Sequence, residues 1–203
     1  MSLDSLPVNA FDLLVAAVLI AGILGGRKRG MSEELLSLLQ WLAVVVGCSR
    51  LYDPVGRFVA EYNPFGLLYS FMLVYFFGAV VILVVVGVLR RGIGGKLVGS
   101  DIFGRAEYYL GMGSGLVRYS CILLAALALL NARYFTPAET KASENFQKDE
   151  FGSTFFPTWH SVQQTVFERS LAGPWIKQNL GGLLITPTVE DQKQLRPKEP
   201  DLP

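Results

Sequence analysis

Four charged side chains stand in or beside long apolar runs, where an ionised group needs a partner. Arg118 lies between the uncharged stretches Tyr108–Val117 and Tyr119–Ala132. A guanidinium at the centre of a membrane helix costs roughly 2.5–3.5 kcal/mol, so something must offset it. Its stem can carry the charge toward a surface. Glu33 and Glu34, in the first turn of a helix that Ser32 would cap, are within reach if the two helices are neighbours. Arg118 is therefore read as pairing with Glu33 or Glu34 to fix helix register. The alternatives are a charge lining a water-filled path and plain snorkelling. Asp12 opens the first apolar run and is read either as a functional intramembrane carboxylate or as a first-turn residue behind an Asn9 cap. The second reading is preferred, because the helix dipole favours a carboxylate there.

Catalytic patterns are missing from the sequence. His160 is the single histidine, and neither a Gly-x-Ser-x-Gly elbow nor an HExxH or HxxEH string accompanies it, so it is read as an interfacial helix residue. Cys48 and Cys121 are isolated and read as packing residues. The string Gly92-Ile-Gly-Gly-Lys96 falls short of a phosphate-binding loop. The expectation is no enzyme, with no catalytic residue, cofactor or metal. A different spacing does recur: Gly22-x-x-x-Gly26, Gly26-x-x-x-Gly30 and Gly111-x-x-x-Gly115 place small residues on one helix face, where backbones can approach closely in lipid.

The elements that must hold these residues are membrane helices. Of 203 residues 51% are apolar and 17% charged, against about 25% charged in soluble domains. The net charge of +1 gives no basic field for nucleic acid. Asn63 to Leu89 runs without a charged side chain, Leu6 to Gly26 is broken only by Asp12, and two shorter runs follow the same pattern. The expected fold is an all-α integral membrane protein with four transmembrane helices, about 7–26, 32–49, 64–89 and 108–131. Lys and Arg concentrate after the first span (Arg27, Lys28, Arg29) and after the third (Arg90, Arg91, Lys96, Arg105), which places those loops in the cytoplasm and both termini outside. The loop Leu51–Tyr62 is then external, and the first segment is a retained anchor rather than a cleaved signal. Residues 136–203 form an extracytoplasmic tail: a flexible linker over Ala138–Phe151, a short amphipathic helix within 155–178 carrying Phe155, Trp159, Val162 and Val166, and disorder from Glu190 onward.

Several strings share an order and spacing with a known family. Asn9-Ala-Phe-Asp12, Gly26-Arg-Lys-Arg-Gly30 and Glu33-Glu-Leu-Leu-Ser-Leu-Leu-Gln-Trp-Leu42 are followed by Leu110-Gly-Met-Gly-Ser-Gly-Leu-Val-Arg118, and Ser170-Leu-Ala-Gly-Pro174 follows in the tail. Over residues 7–135, with a looser echo to 178, the chain resembles the colicin V production (CvpA) family. Glu107-Tyr-Tyr109 departs from the apolar residues more usual there. The resemblance implies a bacterial inner-membrane accessory or scaffold protein, linked to peptide toxin production and export or to envelope homeostasis. Partners are then the bilayer, further copies of the chain and an envelope or export protein, with no nucleic acid. The resemblance also implies a likeness to the membrane segments of small mechanosensitive channels, so the rival reading is an oligomeric channel or transporter with the glycine-rich fourth helix at its path.

Overall fold

The computed structural model describes residues 9–62, 66–98, 104–152 and 157–190. Three helices in it are long and apolar enough to cross a membrane: α1 (Ala10–Tyr62), α2 (Leu67–Val98, uncharged as far as Leu89) and α3 (Glu107–Asn131). Helix α1 is not a single rod. Gly30 sits at φ 75° and ψ 170° inside it, a conformation essentially reserved for glycine. This one residue separates a first arm, 10–29, from a second arm, 31–62. The expected basic loop over 27–29 is therefore corrected: those residues are helical, and the break is confined to Gly30.

Contacts along α3 show that the chain reverses at Gly30. In the first arm Gly22 lies against Gly115, Gly26 against Gly111 and Gly30 against Glu107, which is an antiparallel pairing. The second arm runs the other way, with Glu34 meeting Arg118 near its start. Farther along, Tyr52 bonds to Thr186 while Asn131, at the end of α3, bonds to the adjacent Ile185. Helix α2 lies antiparallel to the second arm, with Arg90 on Ser37, Gln40 on the Leu83 carbonyl and Phe71 on Gly56.

Close approach explains the glycine spacing. A Cβ on Gly111 would lie 2.5 Å from the Gly26 carbonyl oxygen and one on Gly22 2.9 Å from that of Gly115. Added carbons at Gly26 and Gly115 would run into the carbonyl oxygens of Gly111 and Gly22. Backbone meets backbone here, and dispersion contact replaces the hydrophobic drive that lipid does not supply. The rest of the membrane core is Val44, Val45 and Cys48 of α1, Leu68, Phe71 and Tyr75 of α2, and Cys121, Leu124, Leu127 and Ala128 of α3. The outer surface is apolar too, with Leu13, Leu14 and Leu24 on the first arm and Phe76, Val81, Val84 and Val88 on α2 all exposed. A helix apolar on every side belongs in hydrocarbon.

Other boundaries shift as well. The expected loop Leu51–Tyr62 is helical despite Pro54, supported by the Asp53–Arg57 pair one turn apart and by Gly56 seated on Phe71. Helix α2 continues past Leu89 to Val98. The expected linker is instead α4 (Pro137–Phe151), opened by a capping box between Thr136 and Glu139, with Pro137 in the first turn and Gly152 in the left-handed conformation at its end. The tail carries two short helices where one was expected, α5 (Trp159–Phe167) and α6 (Ala172–Leu180). The chain turns between them because the Ser170 hydroxyl donates to the Val166 carbonyl and accepts from the Gly173 N–H. A parallel two-residue pairing joins β1 (Arg133–Tyr134) to β2 (Thr188–Val189). The expected start of the first span at residue 7 and of the third at 64, Phe155 of the amphipathic stripe, and the terminal stretch 191–203 lie outside the described residues, as do the Lys96 and Arg105 side chains.

The glycine contact makes a direct prediction. Gly26→Ala lowers the stability of purified protein by about 1–3 kcal/mol through backbone overpacking. Gly113→Ala, with nothing within 4 Å of its added carbon, leaves stability unchanged or raises it by about 1 kcal/mol through helix propensity. Thermal exposure of the buried thiols Cys48 and Cys121 to a fluorogenic maleimide provides the measurement.

Candidate functional site

The charged centre lies just beyond the Gly30 reversal. Four residues of helix after Gly30 bring Glu34 onto the face that meets α3, where its side chain is fully buried. The Arg118 Nη1 reaches Glu34 Oε2 at 2.8 Å, and the Arg118 side chain is only 8% exposed. Arg29, at the end of the first arm, donates to Glu34 Oε1 at 3.3 Å from a half-exposed position. One carboxylate thus ties together both arms of α1 and the middle of α3. The Arg118 guanidinium also lies 4.8 Å from the centre of the Tyr119 ring, which adds a cation–π contact. Glu33 is half-buried and forms no ion pair among the described residues. Of the two carboxylates that the sequence offers Arg118, the structure uses Glu34.

Chemically, this arrangement can lock both arms of α1 to α3. Both charges are removed from solvent and face each other, with Arg118 Nε left without a hydrogen-bond partner among the described residues, and Arg90 bonds the neighbouring Ser37 from α2. Separating such a pair leaves an uncompensated buried charge.

Asp12 occupies a second junction at the opposite end of the first arm. Its carboxylate accepts the Asn9 N–H at 3.0 Å, as a first-turn acid does. It also accepts the N–H groups of Leu171, at 3.1 Å, and Ala172, at 3.0 Å. Leu171 and Ala172 begin α6 and have no side-chain cap of their own, so Asp12 caps that helix across the fold. The first-turn reading of Asp12 is therefore incomplete: the residue joins the membrane part to the tail. Neighbouring bonds strengthen the joint. Asn9 donates to the Thr165 carbonyl, Gln163 to the carbonyls of Leu130 in the last turn of α3 and Arg133 in β1, and Asn131 to Ile185. Glu190, expected in the disordered end, pairs with Arg133 and accepts from the Tyr69 hydroxyl at 2.5 Å.

The sequence alone did not single out Tyr52, Tyr69, Asn131, Gln163 or Glu190, whose partners lie far along the chain. A polar residue at the last position of an apolar helix, as Asn131 is, was the one signal available. His160 stacks edge-on against Phe135 at 5.4 Å and lines an open groove between α4 and α5 with Glu139, Glu144 and Arg169. Cys48 and Cys121 are free and buried. Among the described residues no group of three or more His, Cys, Asp or Glu could hold a metal ion.

A family model described as colicin V production protein matches residues 11–164. The chain belongs to the colicin V production protein family. The matched segment contains the Gly30 reversal, all five packing glycines and the Glu34–Arg118 pair, so in this family member the lock lies within the shared part. Leu171, Ala172 and Glu190, which complete the tail joint, lie beyond its end. No curated protein and no solved structure matches the chain.

Two outcomes are expected for this family member. Arg118→Leu or Glu34→Leu alone costs about 3–5 kcal/mol, whereas the double replacement recovers most of that loss because no charge is left unpaired. Thermal unfolding of the four proteins in detergent measures the coupling, and equal losses that simply add would contradict it. Asp12→Ala removes the acceptor of Leu171 and Ala172 at a cost of about 1–3 kcal/mol, and amide hydrogen exchange at the start of α6 becomes faster while exchange in α3 is unchanged.

Proposed function

We propose that this membrane protein is a scaffold of the bacterial inner membrane that supports peptide toxin production and export or envelope homeostasis, and that it has no catalytic activity. In this reading the two arms of α1, α2 and α3 each cross the bilayer, giving four spans. The first arm is about 30 Å long at 1.5 Å per residue, which matches a bilayer core. The start of the first arm and the tail share one end of the bundle, joined through Asp12. Arg29 and Arg90 share the other, where Lys and Arg favour the cytoplasm. Both termini are then external. The protein self-associates and presents its tail to an envelope or export partner.

The observation that carries this reading is the sealing of Glu34 and Arg118 inside a single chain. A charge that served a conduction path would face water, and here it faces its counter-charge. A second reading, an oligomeric channel or transporter, is favoured by buried polar atoms with no hydrogen-bond partner among the described residues, including Ser32 Oγ, Ser70 Oγ, Tyr75 Oη and, at the charged centre itself, Arg118 Nε, because such atoms call for internal water.

Ion and small-solute flux through the purified protein in liposomes, with and without membrane tension, separates the two. The scaffold reading predicts flux equal to protein-free vesicles for the native chain. Flux that the native chain supports and that Arg118→Ala alters would overturn it.

A further inference from the structure

The two short tail helices use one face each to join the core and leave large apolar side chains on another. In α5, Val166 and Phe167 are buried, while Trp159 and Val162 are 50% and 39% exposed. In α6, Gly173 and Ile176 are buried, while Trp175 and, one turn earlier at the N-cap, Leu171 are 59% and 57% exposed. An ordinary surface helix puts its apolar side inward only, so these outer residues need a cover.

Their position identifies the cover. The Leu171 N–H is bonded to Asp12, and the next residues of the first arm, Leu13 and Leu14, are 65% and 51% exposed on the surface that meets hydrocarbon. Leu171 is therefore tied beside the start of the first arm, whose next residues face hydrocarbon, and Trp175 follows one helical turn on. Asn9 on the Thr165 carbonyl and Gln163 on the Leu130 carbonyl hold α5 at the same level, the ends of the first arm and of α3. Tryptophan is the residue favoured at that depth, where an apolar ring with one N–H meets both acyl chain and headgroup.

We propose that α5 and α6 lie in the interfacial layer of the membrane that holds the bundle, with Trp159, Leu171 and Trp175 set into the boundary between headgroups and acyl chains. The tail is then a collar that rests on lipid rather than a domain standing in water, and Asp12 sets its depth. The proposal rests on the membrane reading of α1, α2 and α3.

Single-tryptophan versions of the full chain, keeping Trp41, Trp159 or Trp175 with phenylalanine at the other two, are reconstituted in phosphatidylcholine vesicles. Some vesicles carry a nitroxide near the headgroup and others carry it near the acyl end. Trp41 lies half-buried in the second arm of α1 and reports insertion of the bundle. The expected result is a loss of Trp159 and Trp175 emission with the headgroup-proximal nitroxide, larger than with the deep one, and weak quenching by aqueous acrylamide. Quenching of Trp41 by lipid with Trp159 and Trp175 reached only by acrylamide would overturn the collar and leave the bundle in the membrane. Shielding of the two tail tryptophans from both quenchers would overturn it in favour of a protein partner or second copy. Failure of lipid nitroxides to reach Trp41 would remove the membrane reading, and the collar with it.

Discussion

The fold depends on one backbone conformation. Gly30 holds φ 75° and ψ 170°, and a residue with a Cβ would be strained there whatever the available space. The space is also taken, because an added carbon would lie 2.8 Å from the Glu107 side chain. With this one residue the chain turns back on itself without a loop, so two antiparallel arms can share α3 as a common partner. The reversal fixes which residues of α1 face α3, and thereby where Glu34 falls.

A turn made by a single glycine is a hinge unless its two sides are held. The first arm is held by backbone contact, Gly22 and Gly26 on Gly115 and Gly111, which is short-ranged and steep: a shift of one methyl group destroys it. The second arm is held by charge, Glu34 on Arg118, which is longer-ranged and specific for its partner. Arg29 spans the hinge by donating to the same carboxylate. The two kinds of contact are complementary, since glycine packing sets distance and an ion pair sets register. At the far end the tail provides a third restraint, with Asp12, Tyr52, Tyr69 and Asn131 each taking a tail group.

Part of this was legible in the sequence. Long apolar runs identify helices that suit hydrocarbon, because no soluble fold hides so many. The spacing of Gly22, Gly26, Gly111 and Gly115 points to close helix contact, and a lone Arg118 in an apolar run calls for a carboxylate. The rest was hidden for specific reasons. Glu33 and Glu34 differ by about 100° around the helix, and only the phase set by Gly30 decides which faces α3. Asp12 looks complete as a first-turn acid, and nothing local shows that Leu171 and Ala172 also use it. The polar run 137–151 resembles a linker by composition, although Thr136-Pro-Ala-Glu139 spells a capping box that outweighs it. Glu190 reads as part of a polar terminus until its partners Arg133 and Tyr69 are seen.

The reversal at Gly30 is the claim on which the account stands, and a distance between the two arms tests it most directly. Spin labels on cysteines replacing Leu14 and Leu51, both exposed, in a chain with Cys48 and Cys121 changed to alanine, report that distance by pulsed dipolar spectroscopy in lipid. Antiparallel arms that share α3 place the labels within about 30 Å, since packed helices lie 8–10 Å apart. An unbroken helix would separate them by about 55 Å at 1.5 Å per residue, and that distance would contradict the account.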